Sequence, residues 1–125
     1  MIKELKITVL LPQLERIGFR VRDERALERA LSSQSQPVEH KDADDSLWIQ
    51  AAGVFESVIK HRPMIERNEA AAWLAMNVLL AINGQRLRAD SDSGLQFVQG
   101  SSGMELDKFD RANWIDRHSV PMHRD

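Results

Sequence analysis

The spacing of apolar residues along the chain predicts a succession of helices. Between Arg22 and Ser32 apolar residues recur at intervals of three and four, which places them on one face of a helix. Asp23 stands where a short carboxylate caps the first backbone N–H groups of a helix. The stretch from Leu5 to Ile17 is also partly helical in pattern. We expect Pro12 to break or start a helix there because it lacks an N–H group, and Gly18 to end it.

The middle of the chain predicts a loop followed by a second amphipathic helix. Residues 32–45 are polar and contain a proline, which is typical of a solvated connection. Asp45 or Ser46 is expected to cap the next helix, which runs to about Lys60 with one broad apolar face. Pro63 stops this helix, since the residue before a proline avoids the helical region. A short loop, residues 62–67, follows.

The next segment predicts the central helix of an all-α bundle. From Ala70 to Ile82 the only polar residue is Asn77. A helix that is apolar on nearly every side must be surrounded by other elements. It is shorter than the roughly 20 residues that cross a bilayer. The pair Asn83-Gly84 is a good helix stop, because both residue types tolerate a left-handed backbone.

The last third of the chain predicts a connector, two more helices and a tail. Residues 85–89 are expected to be extended. Residues 90–99 form a short helix with Leu95 and Val98 inward and Gly100 at its end. Residues 106–117 form the last helix, and its expected apolar anchors are Leu106, Phe109 and Trp114. We therefore predict a single domain over residues 1–118 and a loose C-terminal tail over residues 119–125.

Composition narrows the possible function classes. The chain has 125 residues, 42% of them apolar and 29% charged, with a net charge of −2, which suits one soluble domain. This balance, without any Lys/Arg block, speaks against nucleic-acid binding and membrane association. The absence of cysteine excludes disulfides and thiolate chemistry and fits a cytoplasmic protein. The N-terminus lacks the ordered regions of a signal peptide.

Three stretches, taken in order, resemble segments of one bacterial family. They are VRDERALERAL at 21–31, HRPMIERN at 61–68 with the alanine-rich helix after it, and INGQRL at 82–87. They resemble the VRD-x-x-L-L-E-x-A-L segment, the loop His-Pro-Phe-x-Asp-Gly-Asn-Lys-Arg-Thr and the L-x-x-N-G-x-x-L helix end of the Doc (death-on-curing) branch of the Fic/Doc, or Fido, family. The resemblance covers roughly residues 8 to 117 and implies a compact helical bundle around the helix at 70–82.

The resemblance also implies a chemistry for the loop at 61–68. In the family, this loop serves phosphoryl or nucleotidyl transfer from ATP or another nucleoside triphosphate with Mg²⁺. The histidine takes the proton of the target hydroxyl, the acidic residue binds the metal, and the glycine exposes backbone N–H groups to phosphate. The lysine and arginine neutralise phosphate charge. Such an assembly suits phosphoryl transfer, which depends mainly on positioning and charge stabilisation.

A gapless alignment on Pro63 keeps only part of this apparatus. Glu66 retains the carboxylate and is the candidate metal ligand, and Asn68 is retained. Arg67 stands at the glycine position, and with Asn68 it is the candidate anion-binding group. For both Glu66 and Asn68 the alternative role is helix capping. His61 is the candidate base if the loop is shifted by one residue, and otherwise it is a residue near a helix end.

The other family positions have lost their chemistry. Arg62 stands at the histidine position, and arginine does not act as a base at physiological pH. Glu69 replaces the lysine and places a negative charge where polyphosphate would bind. Ala70 replaces the arginine. The resemblance therefore implies a catalytically degenerate relative of the nucleotide-dependent transferases.

Three hypotheses follow. In the first, the chain is a Doc-like pseudoenzyme of a toxin–antitoxin system with lost or strongly reduced transferase activity, and it acts as a binding or regulatory module. The resemblance suggests a small antitoxin as partner. In the second, it is an active Doc-type toxin that modifies a hydroxyl of a translation factor with His61 as base. In the third, it is an unrelated helical protein-interaction domain.

Overall fold

The fold confirms the all-α class. A computed structural model describes residues 2–35, 43–102 and 108–122. The elements, in chain order, are α1 (Ile7–Ile17), α2 (Glu24–Leu31), a 3₁₀ helix (Ser32–Ser35), α3 (Ala43–His61), α4 (Asn68–Ile82), β1 (Gln85–Leu87), α5 (Ser91–Ser102), α6 (Lys108–His118) and β2 (Ser119–Pro121). Within the described ranges, no helix is long and apolar enough to cross a membrane.

Helix α4 lies in the core, as its sequence predicted. It packs against α3, which also contacts α2 and α6. Both ends fall near the predicted positions, since α4 starts at Asn68 and Gly84 follows it with φ of 80°. The buried residues of α4 are Asn68, Ala71, Ala72, Ala75, Met76, Val78, Leu79 and Leu80. The small alanines allow neighbouring helices to approach closely, which is why this helix tolerates contact on several sides.

Helix α1 corrects the expected effect of Pro12. The helix runs through this residue and ends at Gly18, which adopts the left-handed conformation with φ of 104°. Because Pro12 has no N–H group, the helical hydrogen bond to the carbonyl of Thr8 is absent. Leu10 and Leu14, on either side of it, are fully buried. We infer that their burial offsets the lost hydrogen bond and keeps the helix continuous.

The second helix and the connection after it differ in how well they were predicted. Asp23 caps α2 as expected, because its carboxylate accepts from the N–H groups of Arg25 and Ala26. The predicted loop at 32–45 was too long at both ends. It begins with the 3₁₀ helix, and α3 starts at Ala43, so Asp45 and Ser46 lie inside α3 rather than at its cap position. Residues 36–42 are outside the described ranges.

The anchors of α5 and α6 needed correction. Leu95 is 54% exposed and Phe109 is 62% exposed, so neither is an anchor, and Leu106 lies outside the described residues. Phe97 and Ile115 occupy the core instead. Helix α5 also continues past Gly100 to Ser102. In α5 the helical period was predicted correctly, but the inward face was assigned from Leu95 rather than from Phe97, which is 1% exposed.

An aromatic cluster joins α5 and α6 to the rest of the core. The Phe97 ring lies 4.9 Å from that of Phe55 and 4.7 Å from that of Trp114, between centroids. Trp73 of α4 contacts both Phe97 and Trp114 at 5.7 and 6.2 Å. Each aromatic pair adds about 0.5–1.5 kcal/mol beyond area burial. Trp114 was predicted as an anchor, and this contact confirms it.

The expected connector and part of the expected tail form a small antiparallel sheet. In β1 and β2, Gln85 pairs with Pro121 and Leu87 with Ser119. The backbone N–H of Met122 also donates to the carbonyl of Gly84 at 2.9 Å. Residues 119–121 therefore differ from the loose tail that the sequence predicted. The local sequence gave no sign of this pairing, because the pairing depends on the connector lying alongside.

Candidate functional site

The loop between α3 and α4 is held by backbone hydrogen bonds to the segment that precedes α2. The carbonyl of Pro63 accepts from the N–H groups of Arg22 and Asp23 at 2.7 and 3.1 Å. The N–H of Ile65 donates to the carbonyl of Arg20 at 2.9 Å. The two stretches that carry the family resemblance, 21–31 and 61–68, thus pack against each other. The loop is fixed to the body of the protein rather than projecting freely.

Asn68 is a buried residue that bonds to the backbone of the loop. Its side chain is buried, with the residue only 2% exposed. The amide oxygen accepts from the backbone N–H of Met64 at 3.0 Å, and the amide nitrogen donates to the carbonyl of Met64 at 3.4 Å. The alternative role as N-cap is wrong, because Arg67 holds the cap position and Asn68 is the first helical residue. The amide is engaged with the loop backbone.

Replacing Asn68 should destabilise the protein measurably. We expect Asn68→Ala to lower the free energy of unfolding by about 1–3 kcal/mol, because both backbone groups of Met64 lose their amide partner. Asn113→Ala is the matched control, since it removes an asparagine side chain from an exposed position of α6. Urea denaturation of the three proteins measures the difference. Equal stability of the wild type and Asn68→Ala would contradict this role.

Arg67, which stands at the family glycine position, adopts a left-handed backbone conformation of the kind that glycine adopts most readily. Its φ and ψ are 62° and 39°, in the left-handed region, although it is not a glycine. L-residues pay roughly 1–2 kcal/mol for this conformation. The guanidinium carbon lies 4.5 Å from the centroid of the Phe19 ring. This cation–π contact, worth about 0.5–1 kcal/mol at an exposed site, offsets part of the backbone cost.

Glycine should therefore be better than alanine at position 67. Both Arg67→Gly and Arg67→Ala lose the contact with Phe19, but only alanine keeps the steric cost of the left-handed backbone. We expect Arg67→Gly to be more stable than Arg67→Ala by about 1 kcal/mol. Thermal and urea denaturation measure this difference. A more stable alanine variant would show that position 67 is not left-handed in solution.

Arg62, at the family histidine position, belongs to the structural frame of the loop. Helix α3 ends at His61, and Arg62 turns the chain with φ of 46°. The carbonyl of Arg62 accepts from the guanidinium of Arg22 at 2.6 Å. Its own guanidinium lies 3.8 Å from the carboxylate of Glu69. His61 is half-buried as the last residue of α3, one position before the turn.

Glu66, the candidate metal ligand, forms an ion pair with an arginine. Its carboxylate lies 3.1 Å from the guanidinium of Arg20, and both side chains are about two-thirds exposed. Among the described residues, no group of three histidines or carboxylates is arranged to hold a metal ion. Metal binding by Glu66 would need the Arg20 pair to open, so the role assigned from the resemblance stays a prediction.

A cleft of about 590 Å³ runs beside α4 from its N-terminus to the start of α5. Trp73 and Asn77 line it from α4, and Leu87 and Val98 line it from the opposite side. Its charged lining residues are Glu69 and Asp90. Hydrogen bonds from the backbone and side chain of Ser93 lower the pKa of Asp90, which keeps it anionic. Two carboxylates repel polyphosphate, so the lining does not fit a nucleoside triphosphate.

Sequence reasoning missed the arginines that the fold brings to the loop. Arg20 and Arg22 precede α2 and were assigned no role, yet each contacts the loop through backbone and side chain. Their position beside the VRD stretch was the available signal. The cleft was also missed, because the apolar helix at 70–82 was expected to be surrounded by other elements, whereas Trp73 and Asn77 line an open cleft.

Comparison with known proteins found a relative of the expected family. Over 74 residues the chain is 34% identical to a protein named Toxin Doc from Mycolicibacterium smegmatis, and the match covers 59% of this chain and 57% of that protein. Over this segment the chain is similar to a Doc toxin, and this similarity confirms the Doc resemblance that the three sequence motifs indicated. No protein-family model matches the chain, and no solved structure matches it.

The match to Toxin Doc spans less than two thirds of that protein. It does not carry the activity of the whole toxin onto this chain. What the loop does chemically is therefore argued from its own side chains.

Proposed function

We propose that the chain is a Doc-like member of a toxin–antitoxin system whose nucleotide-dependent transfer is lost or strongly reduced, and that it acts as a binding or regulatory module. The observation that carries this proposal is the charge of the cleft beside α4. Glu69 and Asp90 are its charged lining residues, and their carboxylates repel a triphosphate. Arg62 at the family histidine position offers no base.

The residues that hold the loop backbone in place are retained, whereas the residues expected to carry out the chemistry have changed. Pro63 and Asn68 retain their family identities and hold the backbone, and Arg67 reproduces the glycine conformation without glycine. The residues that would contact a substrate are the ones that differ. Loss of chemistry with retention of the frame favours a protein that still presents this surface to a partner, such as a small antitoxin.

Expression in bacteria tests this proposal. We expect weak growth arrest or none, because the loop lacks a base and both phosphate-neutralising cations. His61→Ala should grow like the wild type. The mycobacterial relative named Toxin Doc, expressed from the same vector, is the comparison for a toxin. Growth curves after induction and the soluble protein level, measured together, separate inactivity from poor expression.

The opposite result has a defined meaning. Strong arrest by the wild type that disappears in His61→Ala would overturn the proposal and establish an active toxin with His61 as base. Calorimetry with ATP and Mg²⁺ gives a second readout, since tight binding by the wild type would contradict the charge argument.

A further inference from the structure

Four arginines meet at the junction between the loop and the segment before α2. Val21 forms an antiparallel bridge with Met64 and packs against the core. Successive side chains of an extended segment point to opposite faces, so Arg20 and Arg22 lie on the side away from Val21. We name Arg20, Arg22, Arg62 and Arg67 the arginine patch. All four residues are exposed.

The charge of this patch is positive although the chain as a whole is negative. Arg20 pairs with Glu66 at 3.1 Å, and Arg62 approaches Glu69 at 3.8 Å. Asp23 beside the patch is approached by an arginine of α2 at 3.9 Å. Four arginines and two glutamates leave a formal charge of +2, against −2 for the chain. Exposed ion pairs contribute little, so a partner carboxylate can displace them at small cost.

Apolar residues flank the patch and favour a protein partner over a nucleic acid. Ile17 at the end of α1 and Ile65 in the loop are 56% and 54% exposed. Phe19 offers no stacking platform, because it is 6% exposed and its ring lies under the Arg67 guanidinium. Single-stranded nucleic acid is bound by exposed aromatics in a basic groove, and this chain has a pI of about 6.1.

We propose that the arginine patch is a docking surface for an acidic segment of a partner protein that carries aliphatic side chains between its carboxylates. The inference rests on the proposed role as a binding module, and it names the chemistry of the partner. Arginine forms bidentate bonds to carboxylates, and the two isoleucines provide apolar contacts between them. A positive patch on a negative protein also orients an acidic partner during encounter.

The test uses a fluorescein-labelled synthetic peptide of alternating glutamate and leucine, with fluorescence anisotropy as readout. We expect binding at low salt that weakens as salt rises. The double variant Arg20→Glu/Arg62→Glu should bind at least about tenfold more weakly. Arg20→Gln/Arg62→Gln should show an intermediate loss, and it guards against a folding defect in the first variant. Circular dichroism melts check that all variants fold.

Arg86→Glu/Arg117→Glu is the matched control for charge. It makes the same change in net charge, with Arg86 in β1 and Arg117 in α6. The loop precedes the N-terminal end of α4, whereas β1 follows its C-terminal end. Unchanged affinity in this control supports the surface. Equal loss in both double variants, tighter binding of an oligonucleotide than of the peptide, or no peptide binding at low salt would each overturn the inference. Nucleotide binding, measured separately, reports on the proposed loss of transferase function.

Discussion

Leu79→Asp should abolish cooperative folding. Leu79 lies in α4 with no exposed surface, among helices that surround it. A carboxylate there loses its hydration without gaining a partner, which costs several kcal/mol. The total stability of a domain is only about 5–15 kcal/mol, and the substitution also removes the packing of a leucine. We expect insoluble protein or a broad thermal transition without a sharp midpoint.

Ala81→Asp is the matched control for this experiment. It introduces the same residue into the same helix two positions later, but Ala81 is exposed. Its effect on the free energy of unfolding should be only about 1 kcal/mol, from the lower helix propensity of aspartate and its negative charge near the C-terminal end of α4. Circular dichroism melts of the two variants and the wild type measure the contrast. If Leu79→Asp melts cooperatively near the wild-type temperature, α4 is not the core of the fold.

The sequence predicted well those features that depend only on residues close to each other in the chain. Helix α4 is apolar on almost every side, and Asp23 supplies a cap that needs only its own neighbours. Pro12 was misjudged because its local cost is offset by burial of Leu10 and Leu14, which depends on tertiary contacts. Likewise, Leu95 and Phe97 lie on one short helix, and only the aromatic cluster decides which of them turns inward.

In the candidate site, too, the features that depend on local sequence could be predicted and those that depend on distant contacts could not. The alignment of the loop with the family motif could be predicted from Pro63 and Asn68, because these residues match the motif. The hydrogen bonds of the buried Asn68 amide could not be predicted, since they depend on where the Met64 backbone lies. Arg20 and Arg22 lie at the loop because their backbone pairs with residues 63–65, more than 40 positions later in the sequence. Pairing between distant segments is specified by the whole fold rather than by local spacing.

Restoring family residues to the loop should restore nucleotide binding in stages. Glu69→Lys changes the charge at the end of the cleft by two units. A pair of unit charges about 4 Å apart interacts by about 4 kcal/mol at an effective dielectric near 20, before screening. The Glu69 side chain is 41% exposed, so we expect about 1–2 kcal/mol, or roughly ten- to thirty-fold in ATP affinity. Glu28→Lys on α2, outside the cleft lining, is the control for net charge.

The remaining two substitutions separate binding from chemistry. Arg67→Gly keeps a left-handed backbone that is already present and removes the side chain over Phe19, so it should add to affinity by opening the N-terminus of α4 to phosphate. Transfer to a protein hydroxyl should stay absent until Arg62→His supplies a base. Calorimetry with ATP and Mg²⁺ follows the single variants and the triple variant. A triple variant that folds normally and binds no nucleotide would show that the loop is aligned wrongly, and the family roles would then not apply to residues 61–70.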